Sequence, residues 1–334
     1  MEPRRLDEIV GRYGRIKALV AGDFCLDRYL DIDPAIEEIS LETNLPAHQV
    51  VDVRPQGGGA ANVLANVAAL APAELHALGV AGLDGEGHEL AGVLDGLGAG
   101  MDHFIRTRRR KTFTYTKPLV VRPDGPEELS RLDIRDRGPM PEELVEEIVG
   151  RLRAAAAGAD VVVLMEQVPD SPSGVLSAPA KRAVAELARQ AGEKVFLADS
   201  RCDVLGFSGV DIKVNREELR RCCGAPGDDA KLAGQLARQL GRRVFVTLGA
   251  EGILAAGPDG KAHRAAGIRV AGPVDIVGAG DCVLAHLAMA LAAGASVGEA
   301  IELANLAASI VIRKIGTTGT ATGAELAEAL RESS

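Results

Sequence analysis

Seven consecutive residues, Asp275-Ile276-Val277-Gly278-Ala279-Gly280-Asp281, combine the types that handle a charged group. Two glycines around an alanine let backbone amides turn inward where a helix begins. Such amides, helped by the helix dipole, hold an anion. Asp281 falls just inside that helix. A carboxylate beside an anion-binding loop is electrostatically awkward unless it has a task. A fitting task is to accept a proton from a hydroxyl while the amides stabilise a phosphoryl group in transfer. The same spacing also suits an acid at a helix start after a glycine turn, with no chemistry attached.

The elements around this segment must place it. Lys17 to Gly22 is a short apolar run that reads as a buried strand, and Gly57-Gly58-Gly59 precedes a helical pattern over Ala60 to Leu70. Leu75 to Val80 reads as a strand and Glu86 to Leu97 as a helix. From residue 141 the rhythm is regular. Strands at Asp160–Met165, Lys194–Ala198, Ile212–Val214 and Arg243–Leu248 alternate with helices at Glu142–Ala156, Ala180–Ala191 and Asp228–Leu240. A hairpin around Pro258-Asp259-Gly260 follows, then helices at Ala279–Ala293, Val297–Ile312 and Ala324–Leu330. Apolar strands alternating with helices mean a parallel sheet covered on both faces. Two inserts, about 28–55 and 103–135, break the rhythm with polar and apolar residues in alternation, as in exposed strands. Paired, they would form one small sheet acting as a lid on a single domain spanning 1–334.

Composition narrows the classes. With 38 Lys+Arg against 47 Asp+Glu the net charge is -9, which argues against general binding to a phosphate backbone. Aromatics are 3% with no Trp, too few for a base-stacking platform. The longest apolar stretch, Cys282 to Ala295, contains His286 and falls short of the ~20 residues of a membrane span. The N-terminus mixes acids and bases and lacks the apolar centre of a signal peptide. Cys25, Cys202, Cys222, Cys223 and Cys282 show no metal-ligand spacing and are read as reduced thiols in a cytoplasm.

The Asp-x-x-Gly-Ala-Gly-Asp segment resembles the C-terminal signature of the ribokinase-like (PfkB) carbohydrate kinases. Three further segments resemble that family in the same order: Gly58-Gly59-Ala60-Ala61-Asn62-Val63, its Gly-Gly sugar turn; Asn215-Arg216-Glu217-Glu218, its Asn-x-x-Glu element; and Thr247-Leu248-Gly249-Ala250-Glu251-Gly252, its nucleotide loop. A closer resemblance is to the heptose-phosphate kinases of ADP-heptose synthesis. It rests on Gly22-Asp23 with Leu26-Asp27-Arg28-Tyr29, Glu42 to Pro46, Thr116-Lys117, Arg131-Leu132-Asp133, and Ala304-Asn305-Leu306 through Lys314-Ile315-Gly316-Thr317. Where that group often carries Ser-Asp-Tyr-Gly-Lys-Gly, this chain reads Glu166-Gln167-Val168-Pro169-Asp170. Many of its members also carry a nucleotidyltransferase domain after the kinase.

The resemblance implies a ribokinase-like three-layer α/β fold with a mostly parallel central sheet and a small β-sheet lid. It implies ATP-dependent phosphorylation of a sugar or sugar phosphate, with D-glycero-D-manno-heptose 7-phosphate as the leading acceptor. Asp281 becomes the base, with Gly278, Ala279 and Gly280 as the anion hole. Asn215 and Glu218 order Mg²⁺ largely through water, although Asn215 also suits a helix cap. Thr247, Gly249 and Gly252 line the nucleotide, Asn305 lies near adenine, and Asp199 and Arg201 sit at the carboxyl edge of the sheet, where ligands collect. Asp27 and Asn62 become sugar ligands, with Gly58 and Gly59 allowing close approach; Lys117 and Arg131 are further substrate contacts. Asp23 instead suits a structural strand end. Arg108-Arg109-Arg110-Lys111 suits either a solvated face or capture of a sugar phosphate. A monovalent cation such as K⁺ and a homodimer through the lid accompany the family. A kinase for another sugar, another sugar phosphate or a nucleoside, and a non-catalytic sugar or nucleotide sensor on the same fold, remain as alternatives.

Overall fold

The computed structural model describes residues 1–122, 125–169, 171–316 and 318–332. Its helices are α1 (Pro3–Tyr13), α2 (Ala60–Ala68), α3 (Gly85–Gly96), α4 (Glu142–Gly158), α5 (Ala178–Gln190), α6 (Arg216–Cys223), α7 (Asp229–Leu240), α8 (Ala279–Ala292), α9 (Val297–Val311) and α10 (Gly323–Glu332).

Alternation along each central strand divides the core in two. In Lys17–Gly22, Ala18 and Val20 face one side and Leu19 and Ala21 the other; Val161 and Val163 repeat this against Val162 and Leu164. All eight side chains are fully buried. A strand covered on both faces must be apolar at every position, which is why these runs are continuous. The first face packs on α1, α2, α8, α9 and α10 and the second on α4, α5, α6 and α7, giving three layers. Each fully buried Val or Leu contributes about 1.5–3 kcal/mol.

The sheet runs in the order Ala262–Ala266, Gly252–Ala256, Val244–Thr247, Asp211–Asn215, Val195–Ser200, Val161–Glu166, Lys17–Gly22, Glu74–Leu78. The last six are mutually parallel, and the hairpin at the other edge is antiparallel. This is the ribokinase-like α/β architecture.

A second, five-stranded sheet holds Phe24–Ile32, Val50–Gly59, Thr114–Val120, Glu127–Glu128 and Leu132–Ile134. Phe24–Ile32 pairs antiparallel with Val50–Gly59 and parallel with Thr114–Val120, so both inserts meet in it. Ile105–Thr107 departs from the expected lid. It pairs with Val80–Gly82 instead, so the second insert joins the small sheet only from Thr114.

Two elements escape the sequence reading. The stretch Pro3–Tyr13 is a helix that buries Leu6, Ile9 and Tyr13 and is held by Arg5 to Glu299 at 2.7 Å. Leu75–Val80 divides into Glu74–Leu78 and Val80–Gly82. Among the described residues no helix is long and apolar enough to cross a membrane.

Candidate active site

The cleft lies at the carboxyl ends of the parallel strands, where α8 begins. Gly278 is the residue before the helix, with φ +79°. A side chain there would be strained, and its Cβ would lie 2.3 Å from Thr318 Cγ2. The first turn of α8 leaves backbone N–H groups without intrahelical partners. Asp275 braces the approach: its N–H donates to Ile312 O at 2.8 Å and its Oδ1 accepts from Val277 N at 3.0 Å.

Asp281 stands in that first turn, part-exposed to the cleft but closely surrounded by protein. Among the described residues its one hydrogen-bonding side chain is Asn62, whose Nδ2 donates to Oδ2 at 3.3 Å. Burial pushes the carboxyl up to about 6; Lys213 and Asn62 pull it down, and Asp199 adds to the rise. Such a carboxyl is ionised at neutral pH and near the range useful to a base. Its neighbours Cys282 and His286 point into the core. His286 Nδ1 lies 2.9 Å from Cys282 O and Nε2 3.2 Å from Ala321 O.

Opposite α8, Gly58 and Gly59 join the small sheet to α2. A Cβ at Gly58 would come within 2.7 Å of Cys25 Sγ and 2.9 Å of Asp27 Oδ1. Gly59 has φ +56°, and its Cβ would meet Asp23 O at 2.6 Å. Only glycine lets the chain pass so close, and α2 then carries Asn62 to Asp281. Asp27, 8% exposed, accepts from Lys117 Nζ at 2.8 Å, and Lys117 also reaches Tyr29 Oη at 3.1 Å. Tyr115 pairs with Asp27 across the sheet, and Arg131 covers its ring at 4.1 Å while donating to both oxygens of Asp133. The structure therefore gathers Asp27, Asn62, Lys117 and Asp281 around one space, with Gly58 and Gly59 as its floor.

In the basic run, Arg110 and Lys111 line a separate cavity with Asp23, Phe113 and Val168. Arg109 pairs with Glu143; Arg110 pairs with Asp136 at 3.2 Å and donates to Ser173 O at 2.8 Å. Both guanidiniums are spent on the junction between the body and residues 135–143.

On the other side of α8, Asn215 caps α6. Its side chain accepts from Glu218 N at 2.9 Å, and Glu218 Oε2 accepts from Asn215 N at 2.7 Å. The two residues come together first as a reciprocal helix cap. Thr247 ends its strand, with Oγ1 3.5 Å from Val214 O. Gly249 has φ +61° and open space around it, whereas a Cβ on Gly252 would strike Ala265 O at 2.1 Å, so the hairpin alone requires that glycine. Asn305 donates to Ala266 O at 2.7 Å and lines a cavity of about 240 Å³ with Arg264, Ile268 and Leu306.

Asp199 is buried and forms an ion pair with Lys213. Sequence reading missed Lys213. The only signal was a lysine inside the apolar strand Asp211–Asn215. Its Nζ lies where a Cβ on Gly280 would be 3.3 Å away, beneath the glycine turn. Burial pushes Lys213 down, but Asp199, Asp281 and Glu218 together raise it above its ordinary value, so it stays charged there. A second buried pair, Lys181 to Glu166 at 3.0 Å, lies at the end of Val161–Glu166. Asp170 and Thr317, singled out in the sequence, lie outside the described residues.

Among the described residues no group of three or more His, Cys, Asp and Glu is placed to hold a metal ion directly. Glu218 commits one carboxylate oxygen to Asn215 N, and a single carboxylate of this kind fits a largely hydrated Mg²⁺.

Residues 24–322 match the pfkB family carbohydrate kinase domain. The chain is 34% identical over 320 residues to the Bifunctional protein HldE of Methylobacillus flagellatus and 36% identical over 320 residues to that of Halorhodospira halophila. These alignments cover 93% and 94% of this chain, and the chain spans 63% of the length of both relatives. Arabidopsis thaliana ribokinase, solved with ribose and ATP, superposes with a TM-score of 0.70 at 21% identity, covering 95% of this chain and 99% of that one. Escherichia coli phosphofructokinase-2, solved with potassium, gives 0.70 at 19% identity, covering 95% and 98%.

Proposed function

The chain belongs to the pfkB family of carbohydrate kinases, and from that premise we propose that it moves the γ-phosphoryl group of ATP to a hydroxyl of a sugar phosphate, a heptose 7-phosphate first among the candidates. The observation that carries this reading is Asp281. It is a carboxyl raised to about 6, lightly hydrogen-bonded, and set between a glycine turn and the space ringed by Asp27, Asn62 and Lys117.

The acceptor lies over Gly58 and Gly59, its hydroxyls held by Asp27 and Asn62. Asp281 takes the hydroxyl proton. The oxygen then bonds to the γ-phosphorus as the bond from that phosphorus to the β,γ-bridging oxygen breaks, and ADP leaves. Backbone N–H groups of Gly278, Ala279 and Gly280 receive the charge that develops on the phosphoryl oxygens, with Lys213 beneath them. Thr247 and Gly249 line the phosphates, and Asn305 borders the base. Glu218 would hold Mg²⁺ through water, and the ion supplies neutralisation of the phosphate charge. A monovalent cation such as K⁺ would accompany the nucleotide in this reading.

The small sheet would close over the acceptor and exclude water. Exposed Val51 on this sheet, with Ile36, Ile39, Leu41 and Leu45 on the adjoining segment 34–47, supports pairing with a second copy of the chain. A cytoplasmic location goes with this reading.

The test is ADP release from ATP·Mg²⁺ across heptose 7-phosphate, hexose phosphates, free sugars and nucleosides, with Asp281→Asn as control. Turnover on heptose 7-phosphate is expected. Turnover confined to nucleosides or free sugars would overturn the acceptor class. Near-normal turnover by Asp281→Asn would overturn the base.

A further inference from the structure

Three cations lean over the acceptor side of Asp281, and two are already matched. Lys117 is paired with Asp27, and Arg131 with both oxygens of Asp133. A phosphate reaching either one competes with a carboxylate in contact.

Arg201 differs. It follows the strand Val195–Ser200, its backbone fixed by a hydrogen bond from its N–H to Glu166 O at 3.0 Å. Its side chain is exposed and, among the described residues, makes no hydrogen bond or ion pair. The guanidinium is nevertheless felt by two groups: burial pushes the Asp281 carboxyl and the Tyr115 phenol up, and Arg201 is among the cations that pull each back. Asp281 stands in the first turn of α8, and Tyr115 on the small sheet, in register with Asp27. The Arg201 backbone is held beside Glu166, whose neighbour Gln167 packs on Gly59 at the floor of the acceptor space, so Arg201 lies on the acceptor side, whereas Lys213 serves the turn at Gly280. Next to Glu166, Gln167 is 7% exposed and packs against Gly59, and its Oε1 is buried without a partner. The same wall thus offers a free fork of donors and an unused acceptor.

We propose that Arg201 recognises a phosphate group carried by the acceptor, an inference that rests on the phosphotransfer reading above. A guanidinium fork takes two phosphate oxygens at once, and this one has no carboxylate to release first. A phosphate brought near Asp281 adds negative charge beside the base; Arg201 offsets it where it enters. A neutral sugar needs no such residue.

Phosphate could come from the acceptor or from the γ-position of ATP, and the experiment separates the two. Arg201→Ala and Arg201→Lys are titrated by calorimetry, without nucleotide, with D-glycero-D-manno-heptose 7-phosphate and D-fructose 6-phosphate and with the corresponding unphosphorylated sugars. Steady-state kinetics follow on any acceptor turned over. Arg201→Ala is expected to weaken the binding of at least one sugar phosphate by about tenfold or more, with a matching rise in its KM. Its affinity for the free sugar and its KM for ATP stay within about twofold of the parent, and Arg201→Lys recovers part of the loss. A raised KM for ATP with the acceptor KM unchanged would assign the guanidinium to the donor and overturn the proposal. So would equal losses for phosphorylated and free sugars, no change, or a parent protein that binds no sugar phosphate. A parent that binds a sugar phosphate through Arg201 but turns none over would keep this inference and sink the phosphotransfer reading instead.

Discussion

Two aspartates, Asp23 and Asp281, each follow a glycine at the rim of the same sheet, and they end in opposite conditions. Asp23 is 3% exposed and accepts three backbone N–H groups, from Gln167 at 2.9 Å, Val168 at 3.0 Å and Val175 at 2.8 Å. Burial pushes its carboxyl up, while those three bonds pull it back down. Asp281 has one long bond from Asn62 and nothing comparable from the backbone. The first carboxylate is consumed in joining the main sheet to the segment that starts the small one. The second is left with lone pairs facing the cleft. What separates a structural acid from a usable base is therefore how many donors the fold has already committed to it, together with an opening to the cleft.

The comparison is most severely broken through turnover. Asp281→Asn is expected to lower kcat by about 10²–10⁴-fold while calorimetry shows ATP affinity nearly unchanged. Asp23→Ala acts on the fold instead. It leaves three buried N–H groups without an acceptor, and denaturant unfolding should show a loss of about 3 kcal/mol or more. If Asp23→Ala unfolded like the parent, the structural role assigned to it would be wrong.

The pH dependence sharpens the same contrast. Asp281 must be ionised to take a proton, and its carboxyl is raised by burial to about 6. kcat/KM should therefore be flat above about pH 6 and fall about tenfold per unit below it. Stability has the opposite sign at this residue. A folded-state pKa above the unfolded value means that the native protein holds the extra proton between about pH 4 and 6, so this group's contribution to stability declines as pH rises through that window. Asp281→Asn removes that decline, and its melting temperature at pH 7–8 should lie above the parent's by a few degrees, the smallest of these effects. A lower melting temperature would mean that the carboxylate is better satisfied than its single hydrogen bond indicates.

Much of this was readable in advance. The strands from Lys17 to Gly22 and from Val161 to Glu166 announce themselves because both of their faces are buried, so composition and period agree. Gly278 and Gly280 announce a helix start with open amides. The helix at Pro3–Tyr13 was overlooked because its apolar face, Leu6, Ile9 and Tyr13, is diluted by charged residues that meet partners on other elements, Arg5 with Glu299 among them. Lys213 was overlooked because a lysine in a buried strand makes sense only once Asp199 is known to stand beside it.

The sequence by itself determined the alternation of strand and helix, the glycine turns at residues 58–59 and 278–280, and the placing of Asp281 in the first turn of an apolar helix. These depend on residues within a few positions of one another. Only the tertiary structure decided that Asn62, 219 positions away, would donate to Asp281, that Asp27 would be met by Lys117, that Asp23 would be spent on backbone, and that Arg201 would stay unpaired among the described residues. Partner choice follows sheet order and register, and no local pattern carries that information.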